Sequence, residues 1–267
     1  MSLLERHQNW IDHLLGKFEA LTISSGPVAY FHIRDVFHPE LYGLIEKYWP
    51  REDYFLGQVD VAQQRLGHVY ANLRKVVLIE DAPELMPSAE GGEFWQSFRM
   101  MMSDRRLLRK LIERIVPHLR GMRTDLKPPI RVQSDLLLQI DTDGFNLSPH
   151  LDSWRKLLSM VFYLPHDDSR PELGTSVFTP RPEFVHAHPD LGRKFFGEYY
   201  PFEQFNETYR APFVPNSVFG FVVTPLAFHG VQEVKNAGGW RRNILMNLYH
   251  QYEAPYQSVL KRNLIKV

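Results

Sequence analysis

The 267-residue chain contains no cysteine. Disulfide bonds, iron–sulfur clusters, thiolate zinc sites and cysteine nucleophiles are therefore excluded. The chain also lacks an excess of charge of either sign, because its 31 basic and 31 acidic residues give a formal charge of zero. A balanced charge gives no support to binding of nucleic acid or of an anionic membrane surface.

Long apolar runs are missing as well. No stretch approaches the roughly 20 consecutive apolar residues that a membrane-spanning helix needs. Charged side chains interrupt the apolar residues of 1–15, which is not the pattern of a secretory signal. With 44% hydrophobic and 23% charged residues, the composition is that of a folded globular protein, and we expect a cytoplasmic one.

The N-terminal part of the chain, residues 1–127, has mainly the pattern of helices. Apolar residues recur at helical spacing in three segments, which are 3–21, 38–49 and 93–119. Two other segments are rich in β-branched and aromatic residues and predict strands, at 26–37 and 73–80.

The pattern changes after residue 127. Short apolar segments bounded by Gly, Pro, Asn or Asp predict strands at 130–141, 155–165, 175–180, 216–225 and 241–253. Strands that follow one another without intervening helices are typical of an antiparallel sandwich or jelly roll. We therefore expect one α+β domain over 1–267, with a mainly β core at 128–255 supported by N-terminal helices and followed by a tail at 256–267.

Residues 181–213 interrupt the strand pattern and hold eight aromatic residues before Phe213. An insertion of this length without regular structure is often a lid or a binding segment. A surface excursion that packs its own aromatic residues, or a contact within a homodimer, fits the same pattern. The sequence leaves these three interpretations open.

Three His-x-Asp pairs occur in the chain, so the pair alone is weak evidence for a metal site. His166/Asp168 lies in a polar turn, and His188/Asp190 spans a proline within 181–213. Both pairs are expected in exposed loops. His150/Asp152 differs because it lies between two predicted strands, 130–141 and 155–165, and hence at or beside a sheet.

Non-heme iron in oxygenases is bound by two histidines and one carboxylate, with other positions open. Residues i and i+2 of a strand point to the same side, so His150 and Asp152 can supply two of these ligands. The third must come from a distant strand, and His229 and His250 are the candidates in the later β region. A lone histidine at a strand end is more often structural.

Two arginines follow His229, across a Gly-Gly turn. The planar guanidinium of arginine binds carboxylates with two parallel hydrogen bonds. Neighbouring residues of a strand face opposite sides, so only one of Arg241 and Arg242 can enter a pocket. An arginine at the end of an apolar strand can instead reach solvent or pair with an acid.

The run from His150-x-Asp152 through His229, Val231, Val234, Gly239 and Arg241 resembles the Fe(II)- and 2-oxoglutarate-dependent oxygenases, in particular their prolyl-hydroxylase-like branch. The resemblance covers residues 130–253. It implies a double-stranded β-helix, a cupin-like jelly roll, in which His150, Asp152 and His229 bind Fe(II) and 2-oxoglutarate chelates the metal.

The resemblance also implies that Arg241 binds the far carboxylate of 2-oxoglutarate, with Asn243 where related enzymes have a hydroxyl residue. Gln139 and Asp141, on the preceding strand, are further pocket candidates, and Trp154 and Arg155 could face a substrate. Halogenating relatives have a small residue at the place of Asp152. The nucleic-acid demethylases of the superfamily have a second arginine at the place of Asn247. Both departures disfavour those two activities.

The function implied is hydroxylation of an unactivated C–H bond of a small molecule, an amino acid or a biosynthetic intermediate, with O2 as oxidant and release of succinate and CO2. One alternative is a prolyl- or asparaginyl-type hydroxylase of protein side chains. Another is a cupin-type metal-binding or isomerase module. A closed pocket would favour a small molecule, and a wide groove beside 181–213 would favour a protein substrate.

Overall fold

The structure is a computed structural model that describes residues 3–24, 26–57, 73–126, 130–192, 198–235, 241–250 and 265–266. Its helices are α1 (Leu3–Glu19), α2 (Pro39–Lys47), α3 (Ala82–Leu85), α4 (Ala89–Met102), α5 (Arg105–Leu119) and α6 (Pro182–Ala187). The predicted helical segment 93–119 is two helices because Asp104 caps the second one, its carboxylate accepting from the Arg106 backbone N–H at 2.7 Å. None of the described helices has the length and apolar character to cross a membrane.

In the part of the chain that the structure describes, twelve strands form two sheets. They are β1 (Tyr30–Arg34), β2 (Leu56–Gly57), β3 (Arg74–Leu78), β4 (Arg131–Asp141), β5 (Leu147–His150), β6 (Lys156–Tyr163), β7 (Ser176–Pro180), β8 (Phe205–Arg210), β9 (Ser217–Val222), β10 (His229–Val231), β11 (Arg241–His250) and β12 (Ile265–Lys266). The large sheet has the order β1-β9-β6-β11-β4-β3-β2, with β12 also paired to β4. The small sheet has the order β5-β10-β7-β8.

The eight strands from β4 to β11 form a jelly roll. Four of them, β4, β6, β9 and β11, lie in the large sheet, and the other four lie in the small sheet. All their pairings are antiparallel, and each sheet pairs strands that are distant in sequence. This arrangement confirms the predicted fold class, a double-stranded β-helix supported by N-terminal helices.

The helices cover one face of the large sheet. Buried strand residues such as Ile140, Met160 and Phe162 pack in one cluster with helix residues such as Trp95 and Leu108. The N-terminal part also contributes strands, because β1 pairs with β9 and β3 pairs with β4. The opposite face of the large sheet is thereby left free to face the small sheet.

Residues 181–213 differ from the expectation of a segment without regular structure. They contain α6 and β8, and β8 is the edge strand of the small sheet, paired with β7. The strand was missed because its sequence, FNETYR, has one fully buried residue and lacks an apolar alternation. Phe184 and Phe205 of this segment pack with Phe178, Phe228 and Leu151 on the small sheet.

Two predicted features lie outside the described residues. They are the Gly-Gly turn within 236–240 and nearly all of the tail at 256–267. β11 itself is described from its first residue, so the direction of both arginine side chains is known.

Candidate metal centre and its cleft

Two short strands of the small sheet bring three metal-binding side chains together. β5 ends at His150 and β10 begins at His229, and antiparallel pairing places these residues directly opposite each other. Asp152 follows two residues after His150. One ligand atom from each of the three side chains lies within 4.8 Å of the others, the single such group of three among the described residues.

Both imidazole rings are oriented by main-chain carbonyl groups. His150 Nδ1 lies 2.9 Å from Ser148 O, and His229 Nδ1 lies 3.0 Å from Ala227 O. Each Nδ1 therefore carries the proton and donates it to the carbonyl, which leaves the Nε2 lone pair of each ring for a metal. Leu151, between the ligands, packs on the other side with Phe178, as the pleat requires.

Burial keeps both rings neutral. It lowers the pKa of His150 to about 3, with a further lowering from the neighbouring His229. Burial also lowers the pKa of His229, against the attraction of Asp152. A neutral imidazole is the form that binds a metal ion, so the fold supplies both ligands in the competent state.

Asp152 is ionised. Burial alone would raise its pKa, but the Lys156 ammonium lowers it below its ordinary value. Lys156 Nζ lies 2.7 Å from Asp152 Oδ1, and Ser159 Oγ lies 2.7 Å from Asp152 Oδ2. The site therefore presents two neutral nitrogen ligands and one anionic oxygen ligand.

The other two His-x-Asp pairs lie elsewhere. His166 and Asp168 are exposed, as are His188 and Asp190. His188 Nδ1 bonds to the carbonyl of Phe184 in the preceding turn of α6. His250, the other candidate for the third ligand, is at the far end of β11 and is not a member of the group.

The two neighbouring arginines of β11 point to opposite faces of the large sheet. Arg241 is 1% exposed and lines the cleft that contains the metal ligands. Arg242 lies on the helix side, where its Nη2 donates to Glu46 Oε2 at 2.8 Å and its guanidinium lies over the Trp49 ring. The sequence left open which of the two arginines enters the pocket. The pleat of β11 turns Arg241 toward the cleft and Arg242 away from it.

A buried charged layer closes the inner end of this cleft. Asp141 accepts two hydrogen bonds from Arg74, at 2.5 and 2.9 Å, and one from Arg241, at 2.7 Å. The strand register places Asp141 between the two arginines, with Arg74 on β3 and Arg241 on β11. Two guanidinium groups and one carboxylate leave one net positive charge, which suits an anionic ligand.

Next to this charged layer, on the side toward the metal ligands, lies a layer of buried amide side chains. Gln139 and Asn243 are paired across β4 and β11, are almost fully buried and line the cleft. Gln139 Nε2, Arg241 Nη2 and both polar side-chain atoms of Asn243 have no hydrogen-bond partner among the described residues. Buried polar atoms are rarely left unpaired in a native protein, so these atoms indicate a place for a polar ligand.

The next layer toward the metal ligands is apolar. Val161 and Leu245, paired across β6 and β11, line the cleft between the amide layer and the metal ligands. The cleft has a cavity volume of about 120 Å³ and is also lined by His150, Asp152 and His229. It therefore runs from a positive end through unpaired polar atoms and an apolar stretch to a metal-binding end. Trp154 and Arg155 are not among its lining residues.

Three residues of this site are absent from the sequence prediction. Arg74 shares one face of β3 with Val76 and Leu78 by its spacing, and a charge on that apolar face is the signal that could have indicated it. Ser159 shares the inner face of β6 with Val161 by its spacing. Lys156 has no such signal, because its direction depends on an irregularity in strand pairing between Leu248 and Tyr249.

The chain matches no protein-family model and no curated protein. Similar solved structures include the non-heme alpha ketoglutarate dependent epimerase SnoN from nogalamycin biosynthesis, with 12% identity, a TM-score of 0.46 and coverage of 90% of this chain and 83% of that one. A prolyl 4-hydroxylase from Phytophthora capsici has 14% identity, a TM-score of 0.46 and coverage of 92% and 65%. A prolyl-4-hydroxylase from Pseudomonas putida has 11% identity, a TM-score of 0.44 and coverage of 91% and 100%. Because each TM-score is below 0.5, the function of this chain has to be inferred from its own side chains.

Proposed function

We propose that this protein is an Fe(II)- and 2-oxoglutarate-dependent dioxygenase that hydroxylates a C–H bond of a small molecule and releases succinate and CO2. The observation that carries the proposal is one cleft with a His-Asp-His ligand set at one end and a buried arginine at the other. Unpaired polar atoms lie between them.

The ligand set fits Fe(II). Two imidazoles and one carboxylate are the ligands that non-heme iron oxygenases use, and they leave positions open on the metal. The Nε2 atoms of His150 and His229 and the carboxylate of Asp152 are the atoms available here. The buried, neutral imidazoles need no proton loss before they bind.

The rest of the cleft fits 2-oxoglutarate. Its far carboxylate would lie at the positive layer, where Arg241 Nη2 and the Asn243 amide supply free hydrogen-bonding atoms. Its two methylene groups would pass Val161 and Leu245, and its 2-oxo acid end would face the metal ligands. The oxygen atoms of such a ligand would accept from the unpaired donor groups of this layer, which are Gln139 Nε2, Arg241 Nη2 and Asn243 Nδ2.

When bound, Fe(II), 2-oxoglutarate and O2 together supply the oxidant that removes hydrogen from a C–H bond. The residues of this chain hold these groups in place. His150, His229 and Asp152 would hold the metal, Arg241 would bind the far carboxylate and so orient the keto acid, and the apolar layer would exclude water from the space between.

The cleft is lined by apolar side chains together with a few convergent polar groups, a combination typical of small-molecule sites, and this favours a small molecule as substrate. Cupin-type modules without a keto acid would leave the Asn243 amide and Arg241 Nη2 buried without partners. A cupin-type metal-binding or isomerase module therefore accounts for fewer of the polar atoms in the cleft than an oxygenase does.

The first experiment measures binding. Calorimetry should show that 2-oxoglutarate binds to the protein loaded with Mn(II) in the absence of O2, and that binding is lost in Asp152→Ala and strongly weakened in Arg241→Gln. Arg242→Gln is the matched control and should bind normally, since Arg242 faces Glu46. Absence of metal-dependent 2-oxoglutarate binding by the wild type would contradict the proposal.

The second experiment measures turnover. With Fe(II) and O2, the protein should convert 2-oxoglutarate to succinate slowly by itself and faster with its substrate. Pools of amino acids and other small metabolites should stimulate succinate formation, and a library of proline- and asparagine-containing peptides should not. Stimulation by peptides alone would move the assignment to a protein hydroxylase.

A further inference from the structure

Lys156 owes its place beside the metal ligands to an irregularity in the large sheet. On β6, Val161 pairs with Leu245 and Ser159 pairs with Asn247, so odd-numbered residues face the cleft. The register then shifts, and Lys156 pairs with Tyr249. A shift of one residue moves a side chain to the other face, so the bulge turns Lys156 into the cleft.

The two oxygens of Asp152 have different surroundings. Oδ2 is the oxygen nearer the histidines, 3.8 Å from His229 Nε2, and Ser159 Oγ lies 2.7 Å from it. Oδ1 is held by Lys156 Nζ at 2.7 Å. The Lys156 and Asp152 side chains are 15% and 13% exposed, so water screens this ion pair little.

A carboxylate can bind a metal through one oxygen or through both. An oxygen that accepts a hydrogen bond from an ammonium group has part of its charge neutralised and its position fixed. Oδ1 is in this state. Oδ2 accepts from the neutral Ser159 hydroxyl instead and lies 3.8 Å from His229 Nε2, so the geometry favours coordination through Oδ2 alone.

We propose that Lys156 is a positioning residue that keeps Asp152 a one-oxygen ligand and so reserves a coordination position for the keto acid. This inference rests on the proposed function for the identity of the keto acid. Lys156 also places a full positive charge close to a divalent ion. The charge lowers metal affinity, and the open position that it preserves raises affinity for 2-oxoglutarate.

Removal of the Lys156 charge therefore has two opposite effects. Lys156→Leu should bind Co(II) more tightly than the wild type, by about tenfold, since a nearby repulsive charge is removed and Oδ1 becomes a ligand. The same variant should bind 2-oxoglutarate more weakly, because both oxygens of Asp152 then occupy coordination positions on the metal. A residue that only supported the fold would weaken both.

The test is a titration of the metal-free protein with Co(II), followed by 2-oxoglutarate. The visible d–d absorption of Co(II) falls in intensity as coordination number rises, and it should be weaker in Lys156→Leu than in the wild type. Lys156→Arg, which keeps the charge and the donor, should restore wild-type affinity and absorption. Lys156→Gln provides a second neutral variant if the leucine side chain perturbs folding.

The outcomes separate the two proposals. If the wild type binds neither Co(II) nor 2-oxoglutarate, the proposed function fails. If the wild type binds both but Lys156→Leu and Lys156→Gln bind Co(II) equally well or more weakly, with unchanged absorption, the role of Lys156 is wrong and the proposed function stands.

Discussion

His229 lies directly opposite His150 across the antiparallel pair of β5 and β10, with 4.3 Å between the ring centroids. The two histidines are 79 positions apart in the chain, and strand pairing is what joins them. The two histidines of the candidate metal site are therefore positioned by the small sheet itself, and these two side chains need no movement of a loop to meet.

The first prediction concerns these ligands. His229→Gln should lower affinity for Co(II) by at least about 100-fold, since loss even of an outer partner of a ligand commonly costs 10–100-fold. The measurement is a competition titration against a chromophoric chelator. His188→Gln is the control because His188 is exposed and lies in another His-x-Asp pair. Equal loss in both variants would show that the affinity comes from nonspecific histidine binding.

The second prediction concerns the close approach of β10 and β5. A Cβ atom on Gly230 would lie 2.2 Å from Leu147 O, so Gly230→Ala has to separate the two strands. We expect a loss of about 1–3 kcal/mol in the free energy of unfolding, together with weaker metal binding.

The control for Gly230→Ala is Gly43→Ala. Gly43 lies within α2 and a Cβ there would meet no atom within 4 Å, so alanine should stabilise by about 0.5–1 kcal/mol. Urea unfolding of the two variants measures both effects. Unchanged stability and metal affinity in Gly230→Ala would show that the strands are not held in this register.

Much of the jelly roll could be predicted because its central strands are strongly apolar. Segments such as 155–165 and 216–225 bury both faces, and turn residues bound them. β5 and β8 were not predicted as strands, because β5 is only four residues long and β8 is mostly exposed. Short or exposed strands depend on their neighbours for pairing, and a single sequence does not show those neighbours.

The residues of the site also divide into those that the sequence predicts and those that it does not. His150, Asp152 and Arg241 follow from strand spacing and from the resemblance, because local geometry fixes their directions. Arg74 comes from outside the eight jelly-roll strands, and Lys156 depends on a bulge. Local sequence predicts neither which strand will be a sheet partner nor where the register shifts. Arg74 and Lys156 could therefore be assigned to the site only from the structure.

The third prediction concerns the unpaired amide. Asn243 is fully buried and neither polar atom of its side chain has a partner among the described residues. Asn243→Leu should raise the stability of the ligand-free protein by about 1–2 kcal/mol, because it removes a buried unsatisfied group of similar size. The same change should weaken 2-oxoglutarate binding. Chemical unfolding and calorimetry measure the two effects.

The control is a buried asparagine whose two polar side-chain atoms both have hydrogen-bond partners. The Asn216 side chain accepts from Phe37 N and donates to Phe37 O, both at 2.9 Å. Asn216→Leu should therefore destabilise the protein, since it breaks two satisfied hydrogen bonds and also places leucine at a φ of 51°. If Asn243→Leu also destabilised the ligand-free protein, the amide would have partners in solution and would not indicate a ligand site.

The fourth prediction separates the three arginines. Arg241→Gln should raise the dissociation constant for 2-oxoglutarate by about 10–100-fold, as expected for a lost hydrogen bond to a charged group. Arg74→Gln should have a smaller effect, because Arg74 acts mainly through Asp141. Arg242→Gln should have none. Calorimetry on the Mn(II) protein measures all three, and an effect of Arg242→Gln equal to that of Arg241→Gln would reverse the assignment of the two neighbours.

The fifth prediction concerns pH. Burial lowers the pKa values of His150, to about 3, and of His229, while both are near 6.5 in the unfolded chain. Below pH 6.5 the unfolded chain therefore binds more protons at these two histidines than the folded metal-free protein does. Stability should fall as pH falls from 6.5 toward 5, with a slope that approaches about 1.4 kcal/mol per pH unit from His150 and a further contribution of the same sign from His229.

Urea unfolding of the metal-free protein between pH 7.5 and 5 measures this slope. His7, His32 and His250 also have lowered pKa values and contribute to the wild-type slope, so the comparison has to be made between variants. The double variant with glutamine at positions 150 and 229 should lose the part of the pH slope of unfolding free energy that these two histidines contribute. His188→Gln should keep the wild-type slope. A double variant as sensitive to acid as the wild type would mean that these two imidazoles already bind protons in the folded protein, and a pair in that state could not be the neutral ligands that the site requires.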